Sequence, residues 1–230
     1  MNEVETPSFL TLLQELLDIG GPVVWVLLGF SIIAVSIVLI KIWQLMLIAP
    51  ESTATANKAI ALWKQNEPEQ AIRVLKIAKP LDELLALTME GLRQTEIPKE
   101  LLKEELQRVA SLRINQLRSY LRPLEVIASL SPLLGLFGTV LGMILAFQQM
   151  ELAGSQVDPA VLSGGIWQAL LTTAVGLAVA IPAVLAHNWL ERKTERVAAL
   201  INDGVTQVFT HAPFIKLSTI TPAESLKNVA

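Results

Sequence analysis

The segment LEVIASLSPLLGLFGTVLGMILAFQQM (124–150) decides the fold, together with GIWQALLTTAVGLAVAIPAVLAHNW (165–189), which follows it after a short acidic link. No charged residue lies between Glu125 and Glu151, and the second segment contains none. A helix rises about 1.5 Å per residue, so each segment is long enough to cross a hydrocarbon core of about 30 Å. Both segments are therefore predicted to be transmembrane helices.

Small and hydroxyl-bearing residues fall on one face of each predicted helix. Successive residues of a helix are rotated by about 100° around its axis, and on this spacing the small and hydroxyl-bearing residues of each segment fall on a face roughly 100° wide. Large apolar residues occupy the opposite faces. Small faces let helix backbones approach closely. The residues predicted to serve helix packing are Gly135, Gly138, Gly142, Gly176, Ala180 and Pro182. These faces favour an oligomer interface that lines a polar passage. The alternative is helix packing alone, with the Thr hydroxyls bonded to their own helix.

A third apolar segment near the N-terminus completes the predicted membrane part. It begins after Gly20-Gly21-Pro22, which should end a short amphipathic helix, and it is bracketed by Trp25 and Trp43. The predicted order is an N-terminal periplasmic, interfacial helix (1–21), a transmembrane helix (22–42), a cytoplasmic helical region (43–123), the second transmembrane helix (124–150), a periplasmic link (151–164), the third transmembrane helix (165–189), and a cytoplasmic C-terminal helix and tail (190–230).

The basic residues orient this arrangement. Residues 1–40 contain no Lys or Arg, whereas Lys41 to Arg122 contains thirteen, 123–191 contains none, and the tail contains the remaining five of the eighteen. Cytoplasmic segments of membrane proteins carry an excess of Lys and Arg. The sequence therefore predicts an all-α integral membrane protein of a bacterial inner membrane, with its N-terminus in the periplasm and its main loop and C-terminus in the cytoplasm.

Two stretches of these helices carry a family resemblance. LLGLFGTVLGMILAF (133–147) and GIWQALLTTAVGLAVAIPAVLAHN (165–188) resemble the paired signatures of the MotA/TolQ/ExbB proton-channel family, and most closely its ExbB and TolQ branch. The resemblance implies a homo-oligomer, a pentamer in the family, around the transmembrane helices of a smaller ExbD/TolR-type partner. In that family, protons moving down their gradient are thought to drive motion of one component against the other.

The resemblance also implies which residues line the proton pathway. Thr139 matches the Thr of the family's GTV motif, and Thr173 matches the Thr of its LLxTAxGL motif. Thr172 and Gln168 are expected nearby. Many relatives carry Glu at the position of Gln168, so a neutral amide here puts any role for that carboxylate in doubt.

The sequence contains no pattern typical of an enzyme or of a cofactor site. It has no cysteine, and its two histidines, His187 and His211, stand alone, so we expect no metal site and no cofactor. There is no Walker loop, HExxH motif or nucleophile elbow. Basic residues are interspersed with acids beside a predicted membrane, which argues against nucleic-acid binding.

The composition of the membrane segments also limits how protons could move. Proton carriage through a membrane usually needs an Asp, Glu or His, but neither of the quoted helices has one in its middle. Threonine and glutamine can form hydrogen bonds and position water, but they do not carry a proton near neutral pH. A partner must therefore supply the acid, while Thr139 and Thr173 hold water and hydrogen-bond its carboxylate.

These observations favour one function and leave others open. The leading hypothesis is an ExbB-like subunit of a motor that energises TonB-dependent uptake across the outer membrane. A TolQ-like subunit serving envelope integrity is the close alternative. A MotA-like stator is less favoured because that branch has four spans. A membrane scaffold that does not conduct protons should tolerate Thr139→Val and Thr173→Val.

Overall fold

The computed structural model describes residues 9–94, 98–153 and 159–211, and the regular structure of these residues is entirely helical. The helices are α1 (Phe9–Ile48), α2 (Ala54–Lys64), α3 (Pro68–Val74), α4 (Pro80–Arg93), α5 (Lys99–Arg118), α6 (Leu121–Ala153) and α7 (Pro159–Thr210). Helices α1, α6 and α7 each contain a stretch long and apolar enough to cross a membrane. The prediction of an all-α protein with three such helices is thus confirmed.

Helix α1 is broken at Gly21. Gly21 has φ 63° and ψ −160°, and Pro22 follows it inside the helix. Glycine adopts positive φ without a steric penalty, and proline suits the first turn of the helix that restarts, because it has no N–H to leave unpaired. The break lies where the sequence predicts the end of the N-terminal helix. The apolar helix then continues to Ile48, beyond the predicted boundary at residue 42.

The helices extend into the predicted link and into the predicted C-terminal helix. Helix α6 extends to Ala153 and α7 begins at Pro159, so both enter the segment predicted as a link (151–164). Helix α7 continues well past the predicted third span and ends at Thr210. Residues 1–8 of the predicted N-terminal helix, 154–158 of the link and 212–230 of the tail lie outside the described residues.

The described residues divide into two compact units. The first unit draws on Met1–Ile48 and Asn115–Glu195, and the second draws on Ala49–Ile114 and Arg196–Ala230. The core of the first unit is a cluster of buried apolar side chains from α1, α6 and α7. The cluster contains Ala34, Ile37, Leu121, Leu124, Ile127, Ala128, Ala183 and Leu190.

Buried polar contacts hold the second unit together. Asp82, at the start of α4, accepts hydrogen bonds from the Thr55 hydroxyl at 2.5 Å and from the backbone N–H of Lys76 at 3.2 Å. Arg113 makes a bidentate pair with Glu83, with N···O distances of 2.7 and 2.6 Å. The hydrogen bonds that Arg113 donates to the Glu83 carboxylate raise the pKa of Arg113 above its usual value. These contacts tie α2, α4 and α5 into one body.

A second break separates α5 from α6. Helix α5 ends at Arg118, and Tyr120 has φ 64°, a left-handed conformation that non-glycine residues seldom adopt. The sequence predicts a kink or a helix start at Pro123, and Pro123 lies in the first turn of α6. The turn itself is therefore made by residues 119–120 rather than by the proline.

Candidate functional site

The glycines of α6 and α7 bring the two helix backbones together. A Cβ atom added at Gly176 would lie 2.7 Å from the carbonyl oxygen of Ser131, and one added at Gly135 would lie 3.0 Å from the carbonyl oxygen of Thr172. At Gly138 it would lie 2.7 Å from the Thr172 side chain. Side chains almost never approach so closely, so only glycine permits this packing.

The small faces are therefore used within one chain. In the structure, α6 and α7 of a single chain cover each other, and the predicted interface between copies stays a prediction. The buried glycines of this interface are Gly135, Gly138, Gly142 and Gly176, and Ala180 of α7 is also buried. Pro182, which was expected among the packing residues, is exposed in this chain, and α7 continues through it as a helix.

Thr172 lies inside this interface. Its side chain is only 2% exposed, and its hydroxyl donates to the Ala169 carbonyl at 2.7 Å and is also 3.3 Å from the Gly135 carbonyl. It therefore fills the space opened by Gly138 rather than lining an open surface of the chain. The proposed place of Thr172 near the proton pathway stays a prediction.

Thr139 and Thr173 lie at the edge of the same interface. Both are half-buried. The Thr173 hydroxyl donates across to the Gly135 carbonyl of α6 at 3.2 Å, whereas the Thr139 hydroxyl donates to Leu136 of its own helix at 2.6 Å. A hydroxyl that donates one bond keeps two lone pairs for accepting others. Both residues therefore remain able to accept a hydrogen bond from water or from an acid.

Gln168 lies at a different place, beside the break in α1. It is half-buried and lines a cavity of about 260 Å³ together with Gly21, Pro22, Gln148 and Thr172. Its side-chain nitrogen lies 3.9 Å from the position that a Cβ at Gly21 would occupy. The structure thus brings Gln168 and Thr172 together at this cavity. Thr139 and Thr173 do not line it.

Lys41 is a polar residue whose importance the sequence did not reveal. It is 2% exposed, and its ammonium donates to Gln44 at 3.0 Å, to the Leu117 carbonyl at 3.0 Å and to the Ser119 hydroxyl at 3.1 Å. The same ammonium lies 5.9 Å from the ring centroid of Tyr120. All three of its N–H donors are thus used, and two of them bond to the end of α5 and the turn that follows it.

Titratable groups are scarce along the apolar helices. Lys41 is the only charged residue of the described span Gly20–Ile48, and Glu125 and Glu151 lie near the two ends of α6. Within the described residues, no group of three or more His, Asp or Glu side chains could hold a metal ion. The described helices therefore offer hydroxyl and amide groups, but no carboxylate, in the middle of the spans.

Comparison with known proteins matches the part of the chain that contains this interface. The sequence profile of the MotA/TolQ/ExbB proton channel family matches residues 76–203. A Synechocystis protein named biopolymer transport protein ExbB-like 3 is 30% identical over 193 residues, which cover 82% of this chain and 90% of that protein. Biopolymer transport protein exbB1 of Vibrio cholerae is 38% identical over 118 residues, 48% of this chain and 51% of that protein. The Tol-Pal system protein TolQ of Haemophilus influenzae is 45% identical over 75 residues, 32% of each chain.

The close approach of the α6 and α7 backbones can be tested at Gly176. Gly176→Ala should lower the free energy of unfolding by about 1–3 kcal/mol, because the new methyl group meets a backbone carbonyl that cannot move aside easily. Gly164→Ala, on the same helix, is the matched control, since nothing lies within 4 Å of its Cβ position. Thermal unfolding of the purified protein in detergent, followed by circular dichroism, measures both. Equal shifts in the two variants would contradict close packing at Gly176.

The role of Lys41 can be tested by removing its charge. Lys41→Met should destabilise the protein by about 2 kcal/mol, because the Leu117 carbonyl and the Ser119 hydroxyl lose a buried charged donor. It should also speed amide hydrogen exchange at residues 117–121, measured by mass spectrometry. Lys58→Met, at an exposed position of α2, should change neither quantity. Unchanged exchange in Lys41→Met would show that the lysine does not hold this turn.

Proposed function

The chain belongs to the MotA/TolQ/ExbB proton channel family, and we propose that it is an ExbB-like subunit of an inner-membrane motor driven by the proton-motive force. The observation that carries this proposal is the pair Thr139 and Thr173. They match the family's two Thr positions, and both are half-buried with hydroxyl lone pairs available. With an ExbD-like partner, the motor would act through a TonB-like protein on uptake across the outer membrane.

The two hydroxyls would guide a proton without carrying its charge. Threonine is neutral at every physiological pH, so its lone pairs can accept a hydrogen bond from a carboxylic acid. When that acid loses its proton, the hydroxyl can donate to the carboxylate by giving up its present bond to a backbone carbonyl. The carboxyl group must come from the single transmembrane helix of the partner, since the middle of the described helices has none. Thr139 and Thr173 are thus proposed as binding groups for the partner's acid and for the water around it.

The proposed assembly provides repeated sites for this exchange. In a pentamer of this chain, each Thr position would occur five times around a central partner. One proton that crosses a potential of 100 mV makes about 2.3 kcal/mol available, so useful work needs many successive protons. A ring of equivalent sites allows the partner to move from one site to the next at little cost in energy.

The proposed orientation follows the charge distribution. All eighteen Lys and Arg residues fall within 41–122 or after residue 191. With an odd number of spans and the N-terminus in the periplasm, Lys41 lies at the cytoplasmic end of the first span and the other seventeen basic residues lie in the cytoplasm, in agreement with the positive-inside rule. The predicted domain boundaries are retained in this proposal, with α1, α6 and α7 as the spans.

In this proposal the two remaining candidate residues have supporting roles. Thr172 packs α6 against α7 and fixes the position of its neighbour Thr173. Gln168 supplies a polar side chain to the cavity at the α1 break, where the restarting helix has backbone N–H groups without partners in the same helix. A neutral amide suffices for that role.

A TolQ-like role in envelope integrity is the second candidate. TolQ of Haemophilus influenzae has a higher sequence identity to this chain (45%) than the ExbB-like protein of Synechocystis has (30%). The TolQ match covers only 32% of the chain, however, whereas the match to the ExbB-like protein covers 82%. The longer similarity favours the ExbB-like role. A scaffold that does not conduct protons is a third candidate, supported by the absence of a mid-span carboxylate in the chain itself.

The pathway hypothesis is tested by removing the hydroxyls. In cells that lack their own ExbB and TolQ, Thr139→Val and Thr173→Val should each lower uptake of an iron chelate by about tenfold or more, a loss of at least about 1.4 kcal/mol. The variant complexes should keep their size, because valine has nearly the shape of threonine. Ser36→Ala removes a hydroxyl bonded to its own helix in α1 and should leave uptake unchanged.

The same cells distinguish the alternatives. Restored resistance to detergent without restored uptake would favour the TolQ-like role. Full activity of both Val variants, in complexes of normal size, would contradict the pathway and favour a scaffold.

A further inference from the structure

We propose that residues 213–220 of this chain bind in an apolar groove of its own second unit. The groove lies between α5 and the C-terminal part of α7 and has a volume of about 650 Å³. We call it the α5–α7 groove. Leu106, Ala110 and Ile114 line its α5 side, and Ile201, Val205 and Phe209 line its α7 side.

The lining of the α5–α7 groove suits an apolar segment with little charge. Lys103 is the only charged residue that lines it, and the ammonium of Lys103 lies 5.8 Å from the ring centroid of Phe209. The other polar groups are hydroxyls and amides such as Ser111 and Asn202, which can bond to a peptide backbone. Covering this apolar surface is favourable because it removes apolar area from water.

The segment that follows α7 has such a composition, and α7 ends at the groove. Thr210 is the last residue of α7 and lines the groove, and the described chain ends one residue later, at His211. The next residues are APFIKLSTI (212–220), in which four of nine side chains are large and apolar. Lys216 is the one charged residue of this segment.

The dimensions allow the segment to return along the groove. On α5 the groove extends from Lys103 to Ile114, which is about 17 Å at about 1.5 Å per residue. Residues 213–220, if extended, span about 26 Å at about 3.3 Å per residue. Proline is common just after a helix end because it cannot continue the helix, and Pro213 occupies that position. A reversal at Pro213 therefore leaves enough chain to cover the groove.

Attachment to α7 favours this occupant over a free peptide. A segment joined to the groove by two or three residues has an effective concentration of the order of millimolar near the groove. The segment therefore occupies the groove most of the time even if its affinity is weak. The same segment of a second copy would have the same chemistry but not this advantage. Binding within the chain is therefore the form that we propose.

Disulfide cross-linking in the full-length protein tests the proposal directly, since the natural chain has no cysteine. Ala110→Cys is combined with Leu217→Cys, and the membranes are treated with a mild oxidant. A disulfide within one chain should form with a yield about tenfold or more above that of the controls, because binding concentrates the two thiols. Peptide mass spectrometry identifies the bond, and gel mobility distinguishes a bond within a chain from one between chains.

Two controls make the result specific. Leu112→Cys with Leu217→Cys places the α5 thiol at an exposed position that does not line the groove. Adding Phe214→Asp and Ile215→Asp to the main pair should reduce its yield to that of this control, because two carboxylates cannot enter an apolar groove unpaired. Equal yields in all three proteins, or no cross-link, would overturn the proposal. A cross-link that forms only between chains would replace it with binding by a second copy.

Discussion

The rest of the first unit depends on the close approach of α6 and α7. Gly135 and Gly176 let the two backbones meet, so that the Thr173 hydroxyl reaches the Gly135 carbonyl of the facing helix. This contact sets how deeply Thr173 is buried and leaves Thr139 at the edge of the same interface. Small residues therefore determine where the hydroxyls lie, although they contribute no chemistry of their own.

A buried cation fixes the other end of this arrangement. Lys41 donates to the Leu117 carbonyl near the end of α5 and to the Ser119 hydroxyl in the turn before α6, where Tyr120 holds a left-handed conformation. A conformation of this kind costs of the order of 1–3 kcal/mol and persists only where surrounding contacts enforce it. The lysine supplies those contacts from α1. The start of α6 is thus positioned by a residue of a different helix.

The sequence is sufficient to predict the helices but not to predict which helices contact one another. Uncharged segments of helical length predicted the three spans, and Gly21-Pro22 predicted the break in α1, because length, charge and backbone preference are local properties. Which face meets which helix is not local. The small faces of α6 and α7 predict close helix contacts but not which helices make them, and within one chain these two faces cover each other. The predicted first span ends at residue 42, and helix α1 continues to Ile48. A lysine inside an apolar helix indicates that its ammonium has buried hydrogen-bond partners, and this is the signal by which the role of Lys41 could be predicted.

The central claim is that this chain supplies hydroxyl groups for proton passage but not the acid. Proton flux into vesicles under an imposed potential, read with a trapped pH-sensitive dye, tests it most directly. The vesicles contain either the chain alone or the chain with the proposed single-span partner. The account predicts no flux above empty vesicles for the chain alone, and flux when the partner's span carries a carboxylate. Flux through the chain alone would contradict the account, because the protons would then cross without the acid that it assigns to the partner.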